Sequence, residues 1–124
     1  MAQFEIWREI RFEAAHRLPR VPPGHRCHRL HGHSYTVRVY VRGEIDPELG
    51  WFMDLEALKA LLEPIRERLD HRLLNEIEGL ENPTSENLAR WVWNHLEPLL
   101  PPNTKLSRVE VMETPSSGCR YEGD

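Results

Sequence analysis

The stretch HSYTVRVYVRGE, residues 33–44, decides the fold of this chain. Every second residue from Tyr35 to Val41 is apolar, whereas Arg38 and Arg42 fall on the opposite side of the pattern. A period of two is typical of a strand with one buried face, and valine and tyrosine favour that conformation. The stretch therefore predicts a β-strand that lies on a hydrophobic core.

Toward the N-terminus, residues 3–17 repeat this alternation and predict a first strand. Its apolar face carries Phe4, Ile6, Ile10, Phe12 and Ala14, and the pattern is interrupted at Trp7 and Arg8. We expect the two strands to pair antiparallel across residues 17–29, RLPRVPPGHRCHR, because prolines and a glycine suit a surface connection.

Two helices are predicted in the middle of the chain. Asp54 can cap the first, whose apolar residues recur at steps of three and four, namely Leu55, Leu58, Leu62, Ile65 and Leu69. Pro64 lies within this stripe and is expected to kink the helix or divide it in two. Thr84 or Ser85 can cap the second helix, over about residues 85–98.

The C-terminal part predicts two short strands, SRVEVMET (107–114) and GCRYEGD (118–124), joined by a turn at 115–118. The order β-β-α-α-β-β indicates an α+β fold, a four-stranded antiparallel sheet with both helices on one face. Such an open sheet has two free edges, which neighbouring subunits would cover most simply. We therefore expect a homo-oligomer.

The composition indicates a globular protein that acts on a small molecule. The 124 residues fit one domain, residues 1–124, and the formal net charge is -4. No basic patch with interleaved aromatics indicates nucleic acid, and no apolar run could span a membrane. The first residues do not resemble a secretory signal, so we expect a cytoplasmic protein in which Cys27 and Cys119 are free thiols.

Three histidines share one strand parity. His31 and His33 project from the same face of the second strand, and His16 lies at the end of the apolar face of the first. In a hairpin the three imidazoles would meet, and they suit a catalytic zinc ion that keeps an open position. Alternatively, each is a surface or hydrogen-bonded residue. Ordinary loop or helix roles are expected for His25, His28 and His95.

Cys27 lies four residues before His31, among arginine and histidine side chains whose positive charge favours a thiolate. It could act as a general base, or it is an ordinary free cysteine.

Glu113 shares parity with Val109 and Val111, which predicts an inward carboxylate that needs a partner. Asp70 and His71 end the first helix, where the helix dipole alone can account for a histidine.

Six segments together resemble the 6-pyruvoyl/6-carboxy-tetrahydropterin synthase family: FEAAHRLP (12–19), CHRLHGHSY (27–35), WFMD (51–54), LDHRLLN (69–75), NPTSEN (82–87), and ET (113–114) followed by GCRYEG (118–123). The resemblance covers nearly the whole chain. Within the family, the short gap between Cys27 and His31 resembles the bacterial 6-carboxy-tetrahydropterin synthases.

The resemblance implies a tunnelling fold, in which subunits form trimeric barrels and two trimers stack into a hexamer with intersubunit active sites. It also implies a lyase that converts 7,8-dihydroneopterin triphosphate to 6-carboxy-5,6,7,8-tetrahydropterin, with release of acetaldehyde and triphosphate, in queuosine biosynthesis. The implied partners are the pterin substrate and other copies of the chain, without direct contact to nucleic acid or membrane.

The resemblance also implies residue roles. His16, His31 and His33 would bind Zn²⁺, one ion per subunit. Cys27 would remove a substrate proton, the pair Asp70 and His71 would relay protons, and Glu113 would bind the guanidine-like edge of the pterin and belong to the catalytic group. The pterin pocket would be lined by Thr84, Ser85 and Glu86.

Three rival functions remain open at this point. The same fold could make 6-pyruvoyl-tetrahydropterin, or the chain could be a non-catalytic zinc-bound subunit that binds pterins. The third rival is a generic zinc hydrolase, for which Cys27 is an unusual water-activating base. The joint presence of Cys27, Asp70, His71 and Glu113 argues against the second rival.

Overall fold

The computed structural model describes residues 2–124 and contains a five-stranded sheet with two α-helices. The elements are β1 (Gln3–His16), β2 (His31–Glu44), α1 (Leu55–Leu69), β3 (Arg72–Leu73), α2 (Ser85–Leu96), β4 (Thr104–Thr114) and β5 (Ser117–Tyr121). The strand order across the sheet is β3-β1-β2-β4-β5. The predicted α+β class and helix pair are confirmed, and the sheet has five strands rather than the predicted four.

The long hairpin of β1 and β2 organises the sheet. These strands pair antiparallel along their whole length, from Gln3 opposite Glu44 to His16 opposite His31. This register places Phe12 beside Tyr35, whose rings stack with centroids 5.1 Å apart. Because side chains alternate between faces, the register also fixes which residues face the helices.

The additional strand, β3, pairs parallel with β1 through Ala14 and Ala15. It is two residues long, so it carries no alternation from which a strand could be predicted. It exists because the chain leaving α1 passes beside the free edge of β1, where unpaired backbone groups accept it.

Helix α1 continues through Pro64, so of the two expected outcomes, a kink or a division of the helix, the division does not occur. Pro64 and Ala60, whose carbonyl would have accepted the missing N–H, both lie on the exposed side of α1. Water can therefore bond that carbonyl, which lowers the cost of the proline.

The core lies between the sheet and the helices. Leu58, Leu62 and Leu69 of α1 belong to one buried cluster with Val37 and Val39 of β2. Each fully buried aliphatic side chain contributes about 1.5–3 kcal/mol relative to an exposed one. Asp54 and Thr84 cap α1 and α2 by accepting hydrogen bonds from Glu56 and Asn87 backbone amides.

The face of the sheet opposite the helices, which we call the outer face, is covered by ion pairs. Its cross-strand contacts are Arg38–Glu9 at 2.8 Å, Arg42–Glu5 at 3.2 Å, Arg120–Glu110 at 3.1 Å and Tyr40–Glu110 at 2.6 Å. The β1–β2–β4–β5 register brings these opposite charges side by side. Among residues 2–124, no helix is both long enough and apolar enough to cross a membrane.

Candidate metal centre and active site

The three histidines meet at one end of the sheet, as their parity predicted. His16 and His31 form the last pair of the β1–β2 ladder, and His33 lies two residues along β2 on the same face. The ring centroids are 4.6 Å apart for His16–His31, 5.0 Å for His16–His33 and 4.9 Å for His31–His33. One ligand atom from each lies within 4.8 Å of the others, and we call this group the histidine cluster.

The outward nitrogens of two rings are oriented by backbone carbonyls. His16 Nδ1 lies 2.8 Å from the Pro83 carbonyl oxygen, and His31 Nδ1 lies 2.7 Å from that of Arg29. Since a carbonyl can only accept, both Nδ1 atoms donate, and each neutral ring presents a lone pair on Nε2. These two Nε2 atoms are 3.1 Å apart. Two lone pairs at that distance repel unless a cation or proton lies near them.

The burial of His16 and of His33 Nε2 also indicates that these side chains can bind a cation. His16 is 1% exposed, and burial lowers the pKa of its imidazole, which favours the neutral form that binds metals. His33 Nε2 is buried and has no hydrogen-bond partner among residues 2–124. Buried polar atoms are rarely left unpaired, so this nitrogen calls for a ligand. The donor set therefore fits a divalent metal ion.

Glu113 lies beside the cluster. Its Oε2 is 3.8 Å from His33 Nε2, and the side chain is half-buried at an irregularity in the β4–β5 pairing.

Tyr35 was predicted only as a core residue, yet its hydroxyl lies 3.2 Å from His16 Nδ1. Burial, and secondarily the Glu113 carboxylate, raises the pKa of Tyr35, which keeps its hydroxyl protonated. Its parity with His31 and His33 was the signal that could have identified it.

The N-terminus of α2 adjoins the cluster through Pro83, which precedes the cap Thr84. Ser85 is half-buried and Glu86 is exposed in the first turn of α2. Cys119, half-buried on β5, has its pKa raised by burial and then by the nearby Glu86 carboxylate. The structure thus brings the predicted pocket residues to the same end of the molecule as the histidines.

Cys27 lies in a short 3₁₀ turn, Arg26–His28, and is half-buried. Its carbonyl accepts a hydrogen bond from Leu18 N at 2.8 Å, two residues beyond His16. Its own amide donates to His25 Nδ1 at 3.1 Å. Within the described residues, its sulfur is not part of the set of ligand atoms within 4.8 Å. Cys27 is thus held at the histidine end of the sheet without joining the metal donors.

Asp70 and His71 lie across β1 from the cluster, between α1 and β3. Asp70 accepts from Glu13 N at 2.9 Å and from Arg66 Nη1 at 3.2 Å, and its Oδ2 lies 3.0 Å from His71 Nδ1. The hydrogen bond from the Glu13 backbone N–H is the main cause that lowers the pKa of the Asp70 carboxyl. The neighbouring His71 and Arg66 side chains lower this pKa further. The His71 side chain is 79% exposed.

The Asp70–His71 pair is not part of the histidine cluster, although His71 and His33 line the same open depression, about 540 Å³ in volume. His71 adopts a positive φ of 58°, which is uncommon outside glycine. The conformation turns the chain sharply from α1 into β3, and the His71 amide donates to Glu13 O.

Comparison with known proteins identifies the family. A family model described as 6-pyruvoyl tetrahydropterin synthase matches residues 5–124. The chain is 46% identical over 121 residues to the 6-carboxy-5,6,7,8-tetrahydropterin synthase of Synechocystis sp., with 94% of this chain and 91% of that protein covered. Dihydroneopterin monophosphate aldolase of Pyrococcus furiosus is 39% identical over 93 residues, which cover 75% of this chain and 78% of that protein.

A solved structure agrees with this result. The 6-pyruvoyl tetrahydropterin synthase of Caenorhabditis elegans matches with a TM-score of 0.89 at 31% identity, covering 100% of this chain and 98% of that one. Family model, sequence relatives and fold coincide over nearly the whole chain, and the chain is therefore an enzyme of the 6-pyruvoyl tetrahydropterin synthase family.

Proposed function

We propose that this enzyme converts 7,8-dihydroneopterin triphosphate and one water to 6-carboxy-5,6,7,8-tetrahydropterin, releasing acetaldehyde and triphosphate. The observation that carries the proposal is the histidine cluster, with its donor atoms within 4.8 Å and a half-buried Glu113 beside it. The relative from Synechocystis sp. that bears the name of this activity supports it.

We assign the metal as Zn²⁺, one ion per subunit, held by His16, His31 and His33. A set of three neutral imidazoles is typical of catalytic zinc, which retains an open coordination position. When bound, zinc supplies a Lewis acid that makes protons beside coordinated substrate oxygens more acidic. The carbonyls of Pro83 and Arg29 orient the His16 and His31 rings for this role.

The chain's own residues would then move the protons. Cys27, at the same end of the sheet and outside the donor set, is suited to remove a carbon-bound proton as a thiolate. His71 Nδ1 lies 3.0 Å from Asp70 Oδ2, and Nε2 of that ring would exchange protons with substrate. This division gives Cys27 the role of base and His71 that of proton donor.

Substrate binding falls to Glu113 and the start of α2. The Glu113 carboxylate can accept two charge-assisted hydrogen bonds from the guanidine-like edge of a pterin. Thr84, Ser85 and Glu86 would line the pocket, since Pro83 links this turn to His16. The Glu86 and Glu113 carboxylates both raise the pKa of Cys119, in agreement with their lying at the same end of the sheet.

We further infer a homohexamer, a dimer of trimeric barrels, formed by one domain spanning residues 1–124. The short edge strands β3 and β5 leave backbone groups for pairing with neighbours. His71, 79% exposed at the β3 edge, would face the site of an adjoining subunit. A cytoplasmic location and a place in queuosine biosynthesis complete the proposal.

The deciding experiment uses purified, zinc-loaded enzyme and 7,8-dihydroneopterin triphosphate. We expect acetaldehyde and 6-carboxy-tetrahydropterin in equal amounts, measured by a coupled acetaldehyde assay and by mass spectrometry. A 6-pyruvoyl product without acetaldehyde would establish the first rival. Binding of the pterin without any product would establish the non-catalytic rival.

A further inference from the structure

The loop between β1 and β2, residues 17–30, is the most basic segment of the chain, and we call it the arginine loop. It carries Arg17, Arg20, Arg26 and Arg29 and no carboxylate, and no Asp or Glu occurs anywhere from residue 14 to 43. The whole chain has a formal net charge of -4, so this positive charge is a local feature.

None of the four arginines of this loop has an acidic partner among residues 2–124, a property that they share only with Arg72 and with Arg68, whose guanidinium lies over the Trp91 ring. All four are exposed, and no carboxylate of residues 2–124 lies within 4.0 Å of their guanidinium groups. The arginines that do form ion pairs are Arg8, Arg11, Arg38, Arg42, Arg66, Arg90, Arg108 and Arg120. Four unpaired guanidinium groups in 14 residues repel one another and are poorly explained by stability alone.

The backbone of the loop is fixed nonetheless. Leu18 N donates to Cys27 O at 2.8 Å, His25 N to Pro22 O at 2.8 Å and Arg29 N to Arg26 O at 3.2 Å. The Asn75 side chain forms two hydrogen bonds with the Arg17 backbone. Its Oδ1 accepts from Arg17 N at 3.0 Å, and its Nδ2 donates to Arg17 O at 2.8 Å. A fixed backbone lowers the entropy cost of binding a ligand to the loop.

Both ends of the loop join the histidine cluster directly. Arg17 follows His16 in the chain, and the Arg29 carbonyl accepts from His31 Nδ1 at 2.7 Å. The unpaired positive charge is therefore built onto the same end of the sheet that carries the candidate metal centre.

We propose that the arginine loop is the binding site for the oligophosphate chain of the substrate, an inference that rests on the proposed function for the identity of that substrate. Guanidinium groups bind phosphate oxygens through paired, charge-assisted hydrogen bonds, and a triphosphate offers enough oxygens for several arginines. A small oligophosphate fits better than nucleic acid, because the positive charge is confined to one loop and the outer face is neutralised by glutamates.

The test compares two double variants that remove the same charge. Arg26→Gln/Arg29→Gln alters the arginine loop. Arg11→Gln/Arg90→Gln is the matched control, because these exposed arginines pair with Glu9 at 3.0 Å and Asp124 at 3.1 Å. Calorimetric titration with inorganic tripolyphosphate measures binding without catalysis, and steady-state kinetics with 7,8-dihydroneopterin triphosphate measures KM and kcat.

We expect the loop variant to bind tripolyphosphate about tenfold more weakly or worse, and to show a KM raised by a similar factor, while the control matches the parent. Equal binding by both variants, or no binding by the parent, would overturn the proposal. So would RNA binding that depends on the loop and that tripolyphosphate does not displace.

The outcomes separate this inference from the proposed function. Acetaldehyde formation with an unchanged KM in the loop variant would exclude the arginine loop as the phosphate site and would still support the proposed reaction. If the parent enzyme formed no acetaldehyde but bound tripolyphosphate through the loop, the proposed reaction would be excluded and the phosphate site would be supported.

Discussion

The outer face and the histidine end use polar residues in opposite ways. On the outer face, Arg38, Arg42 and Arg120 each contact a glutamate within 3.2 Å. At the histidine end, which comprises the histidine cluster and the arginine loop, two ring nitrogens face each other at 3.1 Å, and His33 Nε2 has no hydrogen-bond partner in the part of the chain that the structure describes. Both regions include the hairpin of β1 and β2, and the outer face extends onto β4 and β5.

The difference shows where the chain is adapted for a ligand rather than for stability. Ion pairs on an exposed sheet satisfy their own charges and add little free energy. Buried nitrogens without partners cost free energy in the isolated fold, and they persist where a ligand satisfies them. Arg108 Nε is also buried without a hydrogen bond among the described residues, but its guanidinium lies 3.8 Å from the Glu110 and Glu122 carboxylates, whereas His33 belongs to a group of three ligand atoms within 4.8 Å. The clustering of such nitrogens therefore locates the site.

The largest effect is expected at the histidine cluster, from His31→Ala. This change removes one of three metal donors, so bound zinc should be lost and kcat/KM should fall by at least about 10³-fold. Metal analysis and the acetaldehyde assay measure the two effects. The control is His95→Ala on α2, remote from the cluster, which should keep both metal and turnover.

A smaller but still large effect is expected from Cys27→Ala. Because the thiol lies outside the donor set, zinc content should match the parent, while kcat falls about 10²–10⁴-fold through loss of a general base. Cys119→Ala provides the comparison and should retain turnover. Full activity in Cys27→Ala would exclude the thiol from the reaction.

Glu113→Gln should act mainly on binding. The neutral amide replaces one accepting oxygen by a donor, so the charge-assisted pair to the pterin is lost and KM rises about 10–100-fold. Steady-state kinetics measures this change, with zinc content as the control for an intact cluster. If the variant lost zinc but kept the KM of the parent, the result would instead indicate that Glu113 positions the histidine ligands.

The smallest effect is expected on the outer face. Glu9→Gln weakens the contacts of Glu9 with Arg38 and Arg11, which are 2.8 and 3.0 Å long. Exposed pairs of this kind contribute at most about 1 kcal/mol each, so urea denaturation should show a modest loss of stability. Turnover should be unchanged, and a loss comparable to that of Cys27→Ala would contradict the division between the two regions.

Much of this arrangement could be predicted from the sequence because it depends on strand parity. The alternation along residues 3–17 and 31–44 places His16, His31 and His33 on one face, and the hairpin brings them to one end. Glu113 could be placed for the same reason, since it continues the inward parity of Val109 and Val111 on β4.

Other features depend on tertiary contacts that leave no local pattern. Strand β3 has two residues and exists only through its pairing with β1. Helix α1 continues through Pro64 because the affected carbonyl is exposed, which periodicity alone does not reveal. The ion pairs of the outer face, and hence the contrast with the unpaired loop arginines, require the cross-strand register.

X-ray absorption spectroscopy of the zinc-loaded enzyme at the zinc edge tests the central claim most directly, that three imidazoles hold one ion while the Cys27 thiol stays off it. We predict three nitrogen ligands from histidine at about 2.0–2.1 Å and no sulfur in the coordination shell. A sulfur ligand at about 2.3 Å, or fewer than three histidines, would contradict the account.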